Sequence, residues 1–401
     1  MNPTEKLAPG APPPEDFIPL IVPEIRGNEW KYVKECLDTN WVSSVGSYVD
    51  RFEKMAAERA GTKYAIATVN GTAALHIALL LAGVRAEDEV IVSSLTFIAP
   101  ANAVRYVGAW PIFIDAEPRY WQIDPAGVAD FLDHGCAWDG HDLRNRRTGR
   151  RVRAILPVHI LGHPADMDPI MEAAAKYSLP VIEDATECLG ARYRGKHPGS
   201  VGDMGCFSFN GNKIITTGGG GMLVTNNAEW AGRARYLTTQ AKDDPIEYVH
   251  NSIGYNYRLT NLLAAVGCAQ MEMLDTFVEA KRRIANRYRE SLGSLPGLRL
   301  PEEAAWSFST FWMYTVLIDE KQSALDSREL LRQLGARKIQ ARPLWQPIHC
   351  SPAHSSYGSP GCPTSEFLSP ASLFVTSSGG TQINISMGLF RFASKACRRA
   401  L

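Results

Sequence analysis

One lysine, Lys213, stands in a segment whose composition favours tight turns. It follows the run "FSFNGN" and precedes four consecutive glycines at positions 218–221. Glycine lets the backbone adopt conformations that other residues avoid, and it lets another group approach closely. A solvated lysine needs neither property, whereas a lysine that attacks a carbonyl carbon must be held in a fixed place. The segment therefore predicts a nucleophilic lysine on a tight turn.

A second segment, "VNGTAALHIALL", places small residues where a predicted strand turns into a predicted helix. The free backbone N–H groups and the dipole at a helix start attract anions, so Gly71, Thr72 and Ala73 form a candidate phosphate site. Ser208, five residues before Lys213, offers a hydroxyl to the same anion. Alone, this pattern is weak evidence for a phosphate.

Two other chemically capable groups follow predicted strands. In "VIEDATE" a predicted strand ends with Glu183 and Asp184. In "SSLTFIAPAN" Phe97 lies just past the end of another predicted strand. Carboxylates at the carboxyl ends of parallel strands face the ligand crevice of such sheets. The structural alternatives are a helix cap or solvated pair for the carboxylates, and core packing for the phenylalanine.

Taken together, these groups describe one ligand. They offer an anchor for a phosphate, an aromatic ring for stacking, a carboxylate for a ring nitrogen and a lysine for an aldehyde. Pyridoxal 5′-phosphate (PLP) has all four of the complementary features. We therefore predict a PLP site in which glycines let the backbone approach the cofactor.

The elements that must position these residues alternate along the chain. Apolar runs typical of strands are "YAIATV", "EVIVSS", "PIFIDA", "AILPVHI", "PVIEDA", "CFSFN" and "GMLVTN". Helical patterns such as "TAALHIALLLAG" and "MDPIMEAAAKYSL" separate several of them, which predicts an α/β fold with a largely parallel sheet. We predict a flexible arm over 1–17, a large PLP-binding domain over 18–260, and a connecting helix with a small α+β domain over 261–401.

Composition excludes several classes of protein. The chain has 401 residues, with 42 Lys and Arg against 42 Asp and Glu, so no global field favours nucleic acid or an anionic membrane. The eight cysteines are scattered and the N-terminus lacks the apolar core of a signal peptide, which favours a reducing cytoplasm. No apolar run reaches the length of a membrane span.

Three motifs resemble known binding sites, but each lacks a feature that such a site requires. The arginine-rich run "HGCAWDGHDLRNRRTGRRVR" lacks interleaved aromatic residues, so we interpret it as a solvated insertion loop. "GARYRGKH" has the spacing of a phosphate loop but ends in His197 where a magnesium-binding hydroxyl is required. His159 and His163 are four residues apart without a catalytic glutamate between them, so we predict no metal site.

Several runs, in order, resemble the DegT/DnrJ/EryC1/StrS sugar aminotransferases. These runs are "GNEWKYVKECLDTNWVSSVG", "NGTAALHIAL", "VIEDATECLGA", "GDMGCFSFNGNKIITTGGGGM" and "GYNYRLTNLLAAVG". The resemblance covers about residues 18–366 and implies the fold type I aminotransferase architecture, with a mostly parallel seven-stranded sheet. The "TTGGGGM" form and the "TGRR" insertion resemble most the 4-aminotransferases of the legionaminic acid pathway.

The resemblance also implies roles for individual residues. Lys213 would bind the cofactor and carry protons, and Asp184 would face the pyridinium nitrogen. The remaining cofactor contacts would be Gly71, Thr72, Ala73, Phe97, Glu187 and Ser208, with Asn256 reaching the phosphate of the neighbouring subunit in a homodimer. Substrate contacts would be Trp41, Ser43 and Arg258, although a core role fits Trp41 equally well.

The sequence departs from the family in two places. Many relatives have "TGEGG" where this chain has Gly219, so no role for that carboxylate transfers here. After "SEFL" the family usually has an "LPSS" turn and a closing helix, and neither is clear in this chain beyond about residue 369.

By resemblance, we expect amino transfer from L-glutamate to a UDP-linked 4-keto-6-deoxy-N-acetylhexosamine, which gives a 4-amino-4,6-dideoxy sugar for surface glycans. A GDP- or dTDP-linked acceptor stays open, including the perosamine type. Related enzymes that dehydrate the sugar at C3 typically replace the lysine with histidine, which Lys213 argues against. The non-enzymatic alternative is a PLP-binding sensor.

Overall fold

The computed structural model describes residues 17–244, 246–323 and 325–377. The strands are β1 (Tyr64–Thr68), β2 (Glu89–Ser93), β3 (Trp110–Ile114), β4 (Cys136–Trp138), β5 (Leu143–Asn145), β6 (Val152–Leu156), β7 (Ile182–Asp184), β8 (Arg192–Tyr193), β9 (Met204–Ser208), β10 (Gly221–Thr225), β11 (Leu298–Arg299), β12 (Ser307–Phe308), β13 (Tyr314–Ile318), β14 (Arg342–Pro343) and β15 (Ser372–Val375).

The helices connect these strands. They are α1 (Glu29–Asp38), α2 (Ser47–Ala60), α3 (Gly71–Leu81), α4 (Ala99–Tyr106), α5 (Pro125–Asp130), α6 (Met167–Lys176), α7 (Ala228–Thr238), α8 (Asn261–Glu272), α9 (Leu274–Leu292), α10 (Ser327–Ala336) and α11 (Pro363–Ala371).

Seven strands form the central sheet, in the order β1-β10-β9-β7-β6-β2-β3. Two ladders of four and three strands are joined by parallel bridges from Ile155 to Val181 and from Val158 to Asp184. Only β10 runs antiparallel to its neighbours, β1 and β9. The predicted α/β fold with a mostly parallel seven-stranded sheet is therefore confirmed, and each predicted strand run lies on one of these seven strands.

Helices cover both faces of the central sheet, so alternate residues of a strand pack into two different hydrophobic cores. Ile66 of β1 and Leu223 of β10 pack with α3 on one face, whereas Met222 and Val224 of β10 pack against α2 and α8 on the other. All five residues of β2, "EVIVS", are buried. Such near-continuous apolar strands are typical of parallel sheets with helices on both sides.

A second sheet, with antiparallel order β11-β13-β15-β14, packs with α9 and α10. Here the chain also returns to its beginning, because the amide of Ile18 donates to Lys338 and the carbonyl of Ile18 accepts from Gln340. The first described residues thus lie beside the C-terminal sheet, although the sequence placed 18–260 in one domain. The predicted arm and residues 378–401 lie mostly or wholly outside the described part of the chain.

The arginine-rich insertion is more ordered than a solvated loop. It contains the hairpin of β4 and β5, and its arginines pair with carboxylates: Arg144 with Asp139, and Arg151 with Asp88. The interpretation of the whole run as loop was therefore too simple, because local ion pairs and the hairpin ladder order it. These ion pairs account for part of its positive charge.

Candidate active site

The carboxyl ends of β2, β7 and β9 and the start of α3 surround a cleft of about 350 Å³. Parallel strands end at the same edge of the sheet, so the loops that follow them meet there. Of the predicted site residues, those lining the cleft are Gly71, Thr72, Phe97, Asp184, Glu187, Ser208 and Lys213. Residues that lie more than a hundred positions apart in sequence are thus brought to one cavity.

The start of α3 forms the part of the cleft that is suited to bind an anion. The side chain of Asn70 caps the helix by accepting a 2.8 Å hydrogen bond from the amide of Ala73. The amide of Ala73 is therefore already paired, and the amides of Gly71 and Thr72 are the better candidates for a phosphate. A Cβ on Gly71 would lie 2.9 Å from Cβ of Ser208, so the glycine allows the two segments to approach closely.

Asp184 is the last residue of β7, and its side chain reaches the cleft. It is 2% exposed, and its Oδ1 accepts a 3.1 Å hydrogen bond from the amide of Thr186. Burial raises the pKa of Asp184, and the charge of Lys213 opposes this rise. A buried carboxylate is stabilised by a cation, so a protonated ring nitrogen fits this position.

Glu183 precedes Asp184 but serves the scaffold instead of the cleft. Its carboxylate contacts Nε2 of His159 at 2.8 Å and accepts hydrogen bonds from the amides of Gly199, Val201 and Gly202. Nδ1 of His159 accepts from the amide of Ala165, so Nε2 carries the proton and donates to Glu183. Glu183 is therefore a buried structural carboxylate, neither a helix cap nor part of a solvated pair, and of the two carboxylates only Asp184 lines the cleft.

His163, the other histidine of "HILGH", is also held by hydrogen bonds to the backbone. Its Nδ1 donates to the carbonyl of Pro164, and its Nε2 accepts from the amide of Ala304. Elsewhere in the described residues, His349, Cys350 and Glu366 lie close enough to hold a metal ion. None of these three side chains lines the cleft.

Lys213 lies on the turn between β9 and β10, where its amide donates to the carbonyl of Asn210. Its Nζ lies 3.4 Å from Oε1 of Glu187, and its side chain is only 13% exposed. Oε2 of Glu187 accepts a 2.9 Å hydrogen bond from the amide of Leu161. Burial raises the pKa of Glu187, and the charge of Lys213 opposes the rise. The amine and this carboxyl group therefore form an ion pair that is largely shielded from solvent.

The four glycines differ in what they allow. Gly218 has a φ of +84°, which favours glycine, whereas a Cβ on Gly219 would meet nothing within 4 Å. A Cβ on Gly221 would lie 2.3 Å from the backbone carbon and oxygen of Asn70. The run therefore supplies one left-handed turn and one close backbone approach, and Gly219 leaves open space in the cleft.

Phe97 is 55% exposed and lines the cleft, so it is not a core residue. An exposed phenylalanine beside Asp184 and Lys213 offers a ring face to an aromatic ligand. This location agrees with the predicted stacking position, and the stacking itself stays a prediction.

Five residues named from the sequence do not line the cleft of this chain. Ala73 is buried behind the start of α3, and Arg258 is buried in an ion pair with Glu53 at 2.8 Å. Trp41 and Ser43 are exposed and hold Asn261 through their backbone carbonyls. Asn256 is exposed. A substrate contact of Arg258 therefore has no support in this geometry, because its guanidinium is engaged by the scaffold.

Several side chains that line the cleft could not be predicted from the sequence patterns. These are Asn70, Thr96, Thr186, Asn210, Asn212, Trp312 and Trp345. Asn70 could have been recognised as a helix cap from its position before "GTAAL". Trp312 and Trp345 carry no local signal, because they come from the C-terminal part of the chain and reach the cleft only through packing.

Comparisons with known proteins agree with this site. Residues 23–377 match the DegT/DnrJ/EryC1/StrS aminotransferase family. GDP-perosamine synthase of Caulobacter vibrioides is 43% identical over 84% of this chain and 87% of that protein. UDP-N-acetyl-3-dehydro-alpha-D-glucosamine 3-aminotransferase of Acidithiobacillus ferrooxidans is 35% identical over 70% and 71%. The crystal structure of S. venezuelae DesV superposes with a TM-score of 0.82 at 29% identity, covering 92% of this chain and 94% of that one.

The fold and the cleft define a fold type I, PLP-dependent aminotransferase. The chain belongs to the DegT/DnrJ/EryC1/StrS aminotransferase family, and pyridoxal 5′-phosphate is its cofactor. The predictions of family and cofactor are thereby confirmed. Among the described helices, none combines the length and the apolar character that crossing a bilayer requires.

Proposed function

We propose that this protein transfers an amino group from L-glutamate to the C4 keto carbon of a nucleotide-linked 4-keto-6-deoxy sugar. The observation that carries the proposal is the placement of the Lys213 amine in one cleft with Asp184, Glu187 and the start of α3. The product is a 4-amino-4,6-dideoxy sugar for surface glycans.

The residues of the cleft fit PLP in size and charge. The amides of Gly71 and Thr72 and the hydroxyl of Ser208 would hold the phosphate, and Phe97 would cover the ring. The buried Asp184 would pair with the ring nitrogen. When bound, PLP withdraws electrons from the carbon that bears the amino group, which makes its proton removable.

Lys213 is the group that moves this proton. Its Nζ is held between Glu187 and Trp312, at 3.4 Å from Oε1 and 4.4 Å from the ring centre. The neutral amine would accept the proton from Cα of the amino donor, and the ammonium would then deliver it to C4′, the aldehyde carbon of the cofactor. Glu187 stabilises the ammonium between these steps, and the buried position limits the access of water.

The first acceptor in this proposal is a UDP-linked 4-keto-6-deoxy-N-acetylhexosamine. The "TTGGGGM" and "TGRR" runs support it by resemblance, and Gly219 leaves room in the cleft. A GDP-linked 4-keto-6-deoxymannose is the second candidate, because a GDP-perosamine synthase is 43% identical to this chain.

A substrate panel tests the proposal. The enzyme loaded with PLP is incubated with L-glutamate and with 4-keto-6-deoxy sugars linked to UDP, GDP or dTDP, and products are identified by mass. We expect the keto oxygen of the UDP-N-acetyl sugar to be replaced by an amino group, with 2-oxoglutarate formed in equal amount. Preference for the GDP sugar supports the second candidate. Loss of the C3 hydroxyl indicates dehydration, and bound PLP that never responds to glutamate indicates a sensor.

The proposal includes a homodimer with shared sites. Asn256 is exposed and lies outside the cleft of its own chain, as expected for a residue that completes the neighbouring cleft. The loop before it exposes several large apolar side chains, namely Ile246, Tyr248, Val249 and Ile253. A subunit interface would bury this apolar surface.

A further inference from the structure

Trp312 contacts the lysine segment of the cleft at two points. The centre of its indole ring lies 4.4 Å from Nζ of Lys213. Its indole Nε1 donates a 2.8 Å hydrogen bond to the backbone carbonyl of Asn212, the residue before the lysine. One side chain therefore contacts both the backbone and the amine of this segment.

Trp312 is itself held by the C-terminal part of the chain. It is 1% exposed, and its backbone carbonyl accepts hydrogen bonds from Nζ of Lys281 at 2.9 Å and from Oγ of Ser377 at 3.2 Å. The buried Nζ of Lys281 also donates to the carbonyl of Ser377 at 2.6 Å. A continuous set of contacts thus runs from α9 through Trp312 to Lys213.

The loop after β6 supports Trp312 from another direction. Gly162 has a φ of +87°, and a Cβ at this position would lie 2.6 Å from the backbone nitrogen of Trp312. Its carbonyl accepts a 2.9 Å hydrogen bond from the amide of Thr310. The backbone that leads into Trp312 is therefore fixed against the large domain as well.

We propose that Trp312 is a positioning residue for Lys213, and that Lys281 acts on the reaction by holding Trp312. An aromatic face attracts an ammonium group, so the indole ring stabilises the charged amine. The indole N–H fixes the backbone from which the amine extends. This inference rests on the proposed role of Lys213. If Trp312 were only a core residue, its substitution would change the stability of the fold but neither the charge nor the placement of the Lys213 amine.

The attachment of PLP to the apoenzyme can be used to measure the charge of the Lys213 amine and its placement separately. The neutral nitrogen of Lys213 bonds to the aldehyde carbon, and the aldehyde oxygen leaves as water. The rate is followed by the absorbance of the bound cofactor between pH 6 and pH 10, and borohydride reduction with peptide mass mapping shows which lysine is modified. The midpoint of the pH profile reports the charge of the amine, and the plateau rate at high pH reports its placement.

The tryptophan variants have distinct expected results. Trp312→Phe keeps a ring face but loses the N–H, so the midpoint stays and the plateau rate falls about fivefold. Trp312→Leu loses both, so the midpoint moves down by about half a pH unit or more and the plateau falls further. Trp121→Phe is the matched control, because it alters a buried indole outside the cleft and should match the wild type.

The lysine that holds Trp312 provides a second test. Lys281→Met should slow attachment severalfold with an unchanged midpoint. Tyr288→Phe on the same helix is its control, since it removes a buried 2.8 Å hydrogen bond whose acceptor is the carbonyl of Thr376 and not that of Trp312. If Trp312→Leu does not fold, Trp312→Phe and Lys281→Met still decide the question.

Two different failures can be distinguished. Wild-type midpoints and rates in all folded variants would overturn the positioning role of Trp312. Reduction that modifies a lysine other than Lys213 in the wild type would instead overturn the proposed function on which this inference rests.

Discussion

Glu183 and Asp184 are neighbours on β7, yet their carboxylates serve different parts of the molecule. Glu183 accepts hydrogen bonds from three backbone amides and contacts His159, whereas Asp184 reaches the cleft. Successive side chains of a strand point to opposite faces, and this alternation separates a carboxylate that binds backbone amides from one that lines the cleft.

Exchanging each carboxylate for its amide should separate these roles. We expect Asp184→Asn to fold normally and to lose about two orders of magnitude or more in turnover, because a neutral amide cannot keep a ring nitrogen protonated. Glu183→Gln should lower the free energy of unfolding by about 1–3 kcal/mol, since an amide nitrogen cannot accept these hydrogen bonds. Urea unfolding and steady-state kinetics measure both. Wild-type turnover in Asp184→Asn would mean that another group pairs with the ring.

Lys213→Ala should abolish multiple turnover while the protein still binds PLP. The groups at the start of α3 and Ser208 do not depend on the lysine, so the phosphate would retain the contacts proposed for it. Equilibrium dialysis measures the bound cofactor, and the substrate panel measures turnover. Lys34→Ala, which changes an exposed lysine of α1, is the control. Sustained turnover in Lys213→Ala would contradict the assignment.

The stability of the apoenzyme should depend on pH through Glu187. Burial raises the pKa of Glu187 above its ordinary value of 4.5. Its contribution to stability is therefore fully present below pH 4.5 and is lost as the pH rises through the raised pKa. Between pH 4 and pH 7 the free energy of unfolding of the wild type should therefore fall relative to that of Glu187→Gln. Urea titrations across this range measure the difference. Glu290→Gln on α9 is the exposed control, and parallel profiles for wild type and Glu187→Gln would refute the prediction.

Substitutions of two glycines in the same run, Gly219 and Gly221, should differ in their effect on stability. In Gly221→Ala the new methyl group meets the backbone of Asn70, so we expect a loss of about 2 kcal/mol in unfolding free energy and weaker PLP binding. Gly219→Ala places its methyl group in open space and should change stability by less than about 0.5 kcal/mol. Thermal unfolding of the pair tests this, and equal effects would show that the close approach at Gly221 is unimportant.

Mixed dimers test the shared site. Chains with Lys213→Ala and chains with a disabling change at Asn256 are refolded together. Random pairing makes half the dimers mixed, and each mixed dimer has one intact site, so activity should approach roughly a quarter of the wild type. The Asn256 variant alone must be strongly impaired. Given verified chain exchange, activity no higher than the mean of the two homodimers would make Asn256 a residue of its own subunit.

Local patterns were sufficient for much of this protein. Each apolar run with β-rich composition became a strand of the central sheet, because a parallel strand covered on both faces must be apolar along its whole length. Lys213, Asp184 and the start of α3 were also recognisable, since a glycine run, a strand end and a helix start each restrict the backbone locally. Resemblance to the family added the cofactor roles that these patterns left open.

The remaining features depended on packing between distant segments. The sequence could not separate the ion-paired, buried Arg258 from a substrate contact, because its partner Glu53 lies on α2. Nor could it assign Glu183 to the scaffold, because the amides that bind its carboxylate belong to another loop. Trp312 lies about a hundred residues after Lys213 and meets it only when the C-terminal sheet packs on the large domain. Sequence determined which residues could do chemistry. Tertiary structure decided which of them share one cleft, because burial and hydrogen bonding are properties of the assembled chain.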